Sequence, residues 1–502
     1  MLKNQLKQIS FHSELYHKIP ENHILKTINS VLDFSFVNKM LESSYCQHFG
    51  RPAKEPEMMM RILMLQHLYD LSDERIIEEI EVNLAYMWFI GINPEDKLPH
   101  PSLLTKFRKT HLKGIEIDEI ITEVVKQAVD KGIISKANGI SIDTTHILAN
   151  TIKKVPERMM KHLARKIFRA MGKEDYTIPD YTKIEDHKEA KRVMKEYLEE
   201  VIDQATPEAF EVAEEAREIL NSDLFIEQKG IRSLIDKDAR VGYKTKTDSF
   251  FGYKMEYGMT TDGLLITSVG VHNGAYVDGE KFEGIYETAK STGLEIEAVY
   301  GDKAYFKKNI LDQLKQDGAS AYIPVNPCSY KIDEELYSYN KDSDEWFCIL
   351  GNKTVCKKSK STVRKGRGNQ VYWEYIFDKT LCVDCPKRLE CMKCSTGKAK
   401  KLHVGLNAME YYEHSQWAKT AEFLKEYQKR AKIENKNAEM KLFHGLARAK
   451  GYGVKSVVLQ AKFTALAVNL KRIAALVSSC FENILNIMDF MSVRSKLLHD
   501  VA

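Results

Sequence analysis

Three carboxylates far apart in the chain have the types and settings that metal-assisted phosphoryl transfer needs. Asp143 sits in "GISIDTTHILA", where β-branched residues alternate as in a strand. Asp302 closes "AVYGD", at the carboxyl end of a second strand-like run, where open sheets with parallel strands gather ligands. Glu434 lies in "YQKRAKIENKNAEMK", which carries Tyr427, Arg430, Glu434 and Lys441 at offsets of 0, 3, 7 and 14. On a continuous α-helix, at about 100° per residue, these fall at roughly 0°, −60°, −20° and −40°, one narrow stripe. A phenol, a carboxylate and two cations make an odd core face and an unusually ordered solvent face.

Two carboxylates in one crevice repel unless a proton or a cation sits between them. Magnesium or manganese, hard ions that prefer oxygen ligands, would fit Asp143, Asp302 and Glu434. Two such ions about 4 Å apart can activate a water or a 3′-hydroxyl and stabilise the leaving oxygen of an in-line displacement. Arg430 and Lys441 would supply cations for phosphate. Each residue also has a plainer reading: Asp143 as a strand-end turn residue, Asp302 as a helix cap, and the two cations as surface charges spaced to pair with Glu434. His146 and His272 are not assigned as ligands, because a lone buried histidine is more often a hydrogen-bonded core residue and carboxylate chemistry does not need it.

The elements that must position these residues follow from pattern. Residues 1–135 read as a helical bundle, with "EPEMMMRILMLQHLYD" at helical spacing, a helix start at Ser72 and another helix after Pro101. Residues 136–150 hold the first strand, and 151–235 return to a charged helical pattern. Residues 236–326 supply a hairpin turning at Thr261, Asp262 and Gly263, then βαβ units, so the core is a mixed sheet with helices packed on it. Residues 327–406 lose the helical period and contain a cysteine cluster, and 407–502 are long helices. The sheet core is thus interrupted by two insertions.

"CVDCPKRLECMKC" offers Cys382, Cys385, Cys391 and Cys394, two C-x-x-C pairs that can satisfy tetrahedral zinc, with Cys348 or Cys356 able to replace one ligand. The alternative is a set of reduced thiols. Nine cysteines in 502 residues, four of them clustered, suit a reducing cytoplasm better than a disulfide framework. The opening "MLKNQLKQISFHSELYHKIP" lacks the apolar run of a secretory signal, and Lys471 and Arg472 interrupt the most apolar late stretch, so no membrane span is expected. A hydrophobic content of 43% and a charged content of 29% exclude wholesale disorder. Net charge of +4 conceals two basic runs, Lys153–Lys173 with eight Lys or Arg against Glu157, and Lys357–Gly368. Either can follow a phosphate backbone by charge, although such runs are usually solvated faces. The apolar spacing of Met159, Met160, Leu163, Ile167 and Met171 gives the first run a packing face as well.

The blocks "SIDTTHILANT", "FFGYKMEYG", "AVYGDKAYF" and "YQKRAKIENKNAEMK" resemble those of the DDE transposases of bacterial insertion sequences. The last block matches that group's Y-x-x-R-x-x-x-E-x-x-x-x-x-x-K signature at every fixed position. "GRPAKEPEMMMRILMLQHLYDLSDERIIEEIEVNLAYMWFIGI" is similar to their helical amino-terminal domain, and "NLKRIAAL" to their carboxyl-terminal helix. One departure is "PHPSLLTKFRK", where relatives read Asp-His-Ser before "FR". The resemblance implies an α/β core of RNase H-like type, a mixed sheet with flanking helices interrupted by insertions, beside an all-α amino-terminal DNA-binding domain. It implies that Asp143, Asp302 and Glu434 are a magnesium-binding catalytic triad and that Tyr427, Arg430 and Lys441 handle DNA. The expected partners are double-stranded DNA, as terminal inverted repeats and target, and further copies of the chain on paired ends. Two other readings stand beside it: an RNase H-like nuclease without strand transfer, and a non-catalytic DNA-binding protein derived from a transposase.

Overall fold

The computed structural model describes residues 10–46, 52–112, 117–222, 224–227, 230–364, 368–392 and 398–499. The chain divides into two compact units, Met1–Ile296 with Ala431–Ala502, and Glu297–Arg430.

In the first unit the amino-terminal segment is helical, as its apolar spacing predicts. The helix Pro56–Leu68 starts with proline in its first turn, where a missing N–H costs nothing. Ser72 caps the helix Asp73–Val82, its hydroxyl accepting from Arg75 N at 3.1 Å. Strand β1 (Ala137–Leu148) pairs antiparallel with β3 (Ser249–Thr260), placing Asp143 opposite Tyr257. The other edge of β3 takes β2 (Arg240–Tyr243) at one end and β4 (Ile266–Asn273) at the other. The β3–β4 turn falls at the expected place and puts Gly263 and Leu264 at positive φ, 77° and 57°.

The long helix Val454–His499 packs on β4. Over Val454–Cys480 it is long and apolar enough to cross a membrane by length and composition alone. In this unit Val457, Ala461, Phe463, Leu466, Leu470 and Ile473 bury that apolar face in the core. Asn469, fully buried, accepts from Ile266 N and donates to Ile266 O, both at 2.7 Å, satisfying a backbone pair that no strand pairs. Asn469→Leu leaves both groups buried and unmatched and should cost about 2 to 6 kcal/mol, at roughly 1 to 3 for each group. A urea midpoint unchanged in that variant would contradict this role.

Between β1 and β2 lies the expected helical insertion, the helices Pro156–Ala170, His187–Asp203 and Phe210–Leu220 around their own core of Met159, Met160, Leu163, Met194, Leu198 and Phe225.

In the second unit β5 (Glu295–Tyr300), which begins at the unit boundary, runs parallel to β6 (Ser320–Tyr322), with the helix Lys308–Gln316 as the crossover. Tyr300, Tyr322 and Phe423 form an aromatic cluster there, with Trp417 and Tyr427 against it. Residues 327–406, where the helical period fails, are largely β: a hairpin of β7 (Tyr337–Asn340) and β8 (Glu345–Cys348), and a three-stranded sheet of β9 (Thr354–Arg364), β10 (Gly368–Phe377) and β11 (Lys401–Gly405).

Candidate functional site

Asp143 lies in the middle of β1, half-buried, rather than at a strand end. One of its oxygens, Oδ2, accepts from Asn437 Nδ2 at 3.0 Å. The other end of the same amide, Oδ1, accepts from Tyr257 Oη at 2.9 Å, and that hydroxyl also lies 3.2 Å from the carbonyl of Ile433. The two contacts fix which way the amide points, since the donor must face the carboxylate and the acceptor the phenol. Tyr257, Asn437 and Asp143 therefore tie the strand pair β1–β3 to the helix Lys432–Phe443.

That helix carries Glu434 in its first turn, exposed, where a negative charge is favoured by the helix dipole. Beyond its end the backbone is pinned to β1: Leu148 N donates to Ala447 O at 3.0 Å, and Ala449 N to Leu148 O at 2.8 Å. Gln460 holds the same turn by donating to Gly445 O and Arg448 O. Asp143 and Glu434 thus sit on elements joined both by side chains and by backbone.

Lys441 Nζ stands 3.3 Å from His146 Nδ1. Burial, then the cation of Lys244, pushes the Lys441 ammonium down to about 8, with Asp143 opposing the shift. Burial, then Lys441 and Lys244, lowers His146 to about 4, so its ring is neutral near pH 7 and its Nδ1 accepts from Lys441. His146 also leans on the Phe250 ring at 5.1 Å. It is a half-buried histidine hydrogen-bonded to Lys441. His272 stacks on Tyr276 at 3.9 Å.

The single stripe expected over residues 427–441 is not continuous. The α-helix Ala421–Tyr427 ends at Tyr427, a 3-10 turn occupies Gln428–Ala431, and a new α-helix begins at Lys432. The helix expected to carry all four residues is therefore broken between Arg430 and Glu434. The physical reason lies in packing: Tyr427 stacks on Phe423 at 5.8 Å in the aromatic cluster of the second unit, while Glu434 and Lys441 belong to the first. Asp302, half-buried, lies two residues past the end of β5 and caps the turn Lys303–Tyr305, its Oδ1 accepting from Ala304 N at 2.8 Å. The cap reading and the strand-end reading of this residue are compatible, since Oδ2 is not used by the cap bond.

Every described cysteine is a free thiol. Cys382, Cys385 and Cys391 line one cavity of about 430 Å³, and Cys348, from β8, joins them. Tyr337 Oη touches Cys391 Sγ at 2.9 Å, and Asn352 Nδ2 donates to Cys382 Sγ at 3.4 Å. Cys394 lies outside the described residues, and Cys356 does not line the cavity. Among the described residues no three His, Cys, Asp or Glu side chains stand close enough together to hold a metal ion.

Asn437, Tyr257 and Lys244 were not singled out by sequence. Asn437 follows Glu434 by three residues, the spacing of neighbours on a helix face, and that was the available signal.

Residues 13–110 match the family model described as Transposase domain (DUF772), and residues 348–474 match the model described as Transposase DDE domain. The second match contains Tyr427, Arg430, Glu434 and Lys441, while Asp143 and Asp302 lie between the two. A comparison with curated proteins finds no match. A solved structure of a piggyBac transposase synaptic complex with hairpin DNA aligns over 94% of this chain and 76% of that chain, at 11% identity and a TM-score of 0.30. The chain thus carries a transposase domain in its amino-terminal part and a DDE transposase domain in its carboxyl-terminal part, and is a DNA transposase.

Proposed function

We propose that this transposase cuts DNA at the ends of its own element and joins the freed 3′-hydroxyls to target DNA, in a magnesium-dependent reaction on an RNase H-like core. The observation that carries the reading is the Asn437 amide, which couples the Asp143 carboxylate to the helix of Glu434. Asp143, Asp302 and Glu434, the triad the family resemblance implies, would hold the metal, and manganese would substitute for magnesium; their oxygen donors suit a hard divalent ion. When bound, the metal supplies Lewis acidity to the attacking and leaving oxygens. The remaining work belongs to side chains: Asn437 orients Asp143, Lys441 and Arg430 hold DNA phosphates, and Tyr427 packs against the DNA end. Joining two ends requires further copies of the chain, so a homo-oligomer on paired ends is part of the proposal, and the cytoplasm is where it would act. A labelled end duplex incubated with plasmid and magnesium should yield covalently joined product. Free 3′-hydroxyl ends without joined product would favour the nuclease reading, and binding without cutting the non-catalytic one.

Lys441 gives this reading a pH signature. Its folded value of about 8 lies below the ordinary lysine value of 10.5, so the charged form is fully present only well below pH 8. Affinity for a DNA end should therefore weaken as pH rises from 7 to 9, and Lys441→Arg, which keeps its charge throughout, should flatten that decline. The lowered value also means that the unfolded chain holds the proton more tightly, so this residue's contribution to stability rises with pH between about 8 and 10.5. Equal pH profiles for wild type and Lys441→Arg would remove Lys441 from the phosphate contacts.

The cysteines support a structural zinc site separate from the catalytic metal. The purified protein should contain about one zinc per chain, and Cys385→Ser should release it. Comparing Cys348→Ser with Cys394→Ser identifies the fourth ligand. Zinc-free protein after reducing, chelator-free purification would leave the cluster as free thiols.

A further inference from the structure

The helix Pro156–Ala170 of the insertion has two unlike faces. Met159, Met160, Leu163, Ala164 and Ile167 are fully buried in the insertion core. The opposite side exposes Arg158, Arg165 and Arg169, with the half-buried His162 among them. Their offsets of 0, 4, 7 and 11 fall within about 60° of one another on the helix, and the row is roughly 16 Å long at 1.5 Å per residue. Glu157, the helix's one acid, is buried and lies off this row.

What distinguishes the row is its lack of acidic partners. Several other exposed cations in or beside the insertion are paired, Arg192 with Glu189 and Glu196, Lys195 with Glu199, Arg217 with Glu214, and Lys166 and Lys237 with Glu215, whereas Lys153, Lys173 and Lys188 are exposed without an ion pair but do not form a row on one helix face. Among the described residues, Arg158, Arg165 and Arg169 form no ion pair or side-chain hydrogen bond. The uncompensated field registers on their neighbour: burial first, then Lys154, Arg158 and Arg165, hold the His162 imidazole below its ordinary value. In the second basic run Lys358 and Lys360 are exposed, while Lys357 is engaged within its own sheet. Lys357 pairs with Asp344 at 2.6 Å and lies over the Trp373 ring at 4.4 Å, so it braces its own sheet.

We propose that the Arg158, Arg165 and Arg169 row of the helical insertion is a docking surface for the phosphate backbone of duplex DNA. One DNA strand carries a phosphate every 3.4 Å or so along the helix axis, so a row of about 16 Å faces roughly five nucleotides. Arginine suits that contact, because its planar fork meets phosphate oxygens in pairs and stays charged at all relevant pH. Backbone contacts position DNA without reading sequence. The row therefore serves any duplex the transposase engages, with the end-specific contacts made elsewhere. This surface rests on the reading of the chain as a DNA-cutting transposase.

The test uses the full chain and two duplexes, one carrying the element end and one of scrambled sequence, with affinity measured across salt. In the triple variant Arg158→Gln, Arg165→Gln, Arg169→Gln, the slope of log affinity against log salt should shrink by about 2.7, at 0.9 per lost contact, on both duplexes. Replacing the same three by Lys should retain the slope, and thermal unfolding of both variants should match wild type because none of the three is in the core. An unchanged slope in a folded glutamine variant, or a loss confined to the end sequence, would overturn the surface. Wild-type magnesium-dependent cleavage alongside an unchanged slope would reject this surface alone. A wild type that neither binds nor cuts either duplex would reject the functional reading and this surface with it.

Discussion

Asp143→Asn, Asp302→Asn and Glu434→Gln should each lower magnesium-dependent cleavage of a DNA end by a factor on the order of a thousand or more, while DNA affinity changes little. Each substitution keeps the side chain's shape and removes the charge that a hard cation requires. Metal ions contribute several kcal/mol to stabilising the charge that develops in phosphoryl transfer, and about 1.4 kcal/mol corresponds to a factor of ten. The Asn at position 302 can still accept the cap bond from Ala304 N, and the amide at 143 can still meet the Asn437 amide after a rotation. Glu434 is exposed, so Gln there carries no burial cost. Single-turnover cleavage with binding measured in parallel separates the two effects. A variant of any of the three that cleaves at the wild-type rate would remove that residue from the triad.

Asn437→Leu should produce the second largest effect, a loss of about 10- to 100-fold in activity at limiting magnesium, the range typical when a partner that orients a metal ligand is removed. Leucine keeps the volume but takes away the donor to Asp143 and the acceptor for Tyr257. The deficit should shrink as magnesium is raised, because the ligand is misoriented rather than absent. Tyr257→Phe should show a weaker form of the same behaviour, since it frees one end of the amide and leaves the bond to Asp143 in place. A loss that does not respond to magnesium concentration would assign Asn437 to folding alone, and unfolding measurements would then show the matching deficit.

Much of the frame was legible because it rests on periodic signals. The β-branched alternation around Asp143 marks a strand that exists as β1, and Thr261, Asp262 and Gly263 mark the turn between β3 and β4. The break in the helix at Gln428–Ala431 was not legible, because "QKRA" contains no glycine or proline and each of its residues tolerates an α-helix. The 3-10 turn coincides with the division between the two compact units at Arg430 and Ala431. The strands β9 and β10 were missed for another reason. Lys357, Lys358, Ser359, Lys360 and Ser361 are all exposed, so β9 lacks the alternation that betrays a half-buried strand. Of the two substitute ligands that the sequence offers, only Cys348 lines the cysteine cavity, a choice the spacing could not make because 34 positions separate it from Cys382. Asn437 belongs to no motif of its own, and its role follows from the register that sets Tyr257 across from Asp143.

Affinity cleavage with iron tests most directly the proposal that Asp143, Asp302 and Glu434 hold one catalytic metal. Iron(II) binds oxygen-rich magnesium sites, and with ascorbate and peroxide it generates radicals that cut the polypeptide close to the metal. The account predicts cuts near Asp143, Asp302 and Glu434 together, suppressed by excess magnesium and abolished in Asp143→Asn. Cuts confined to one of the three regions, or cuts that magnesium does not suppress, would contradict it.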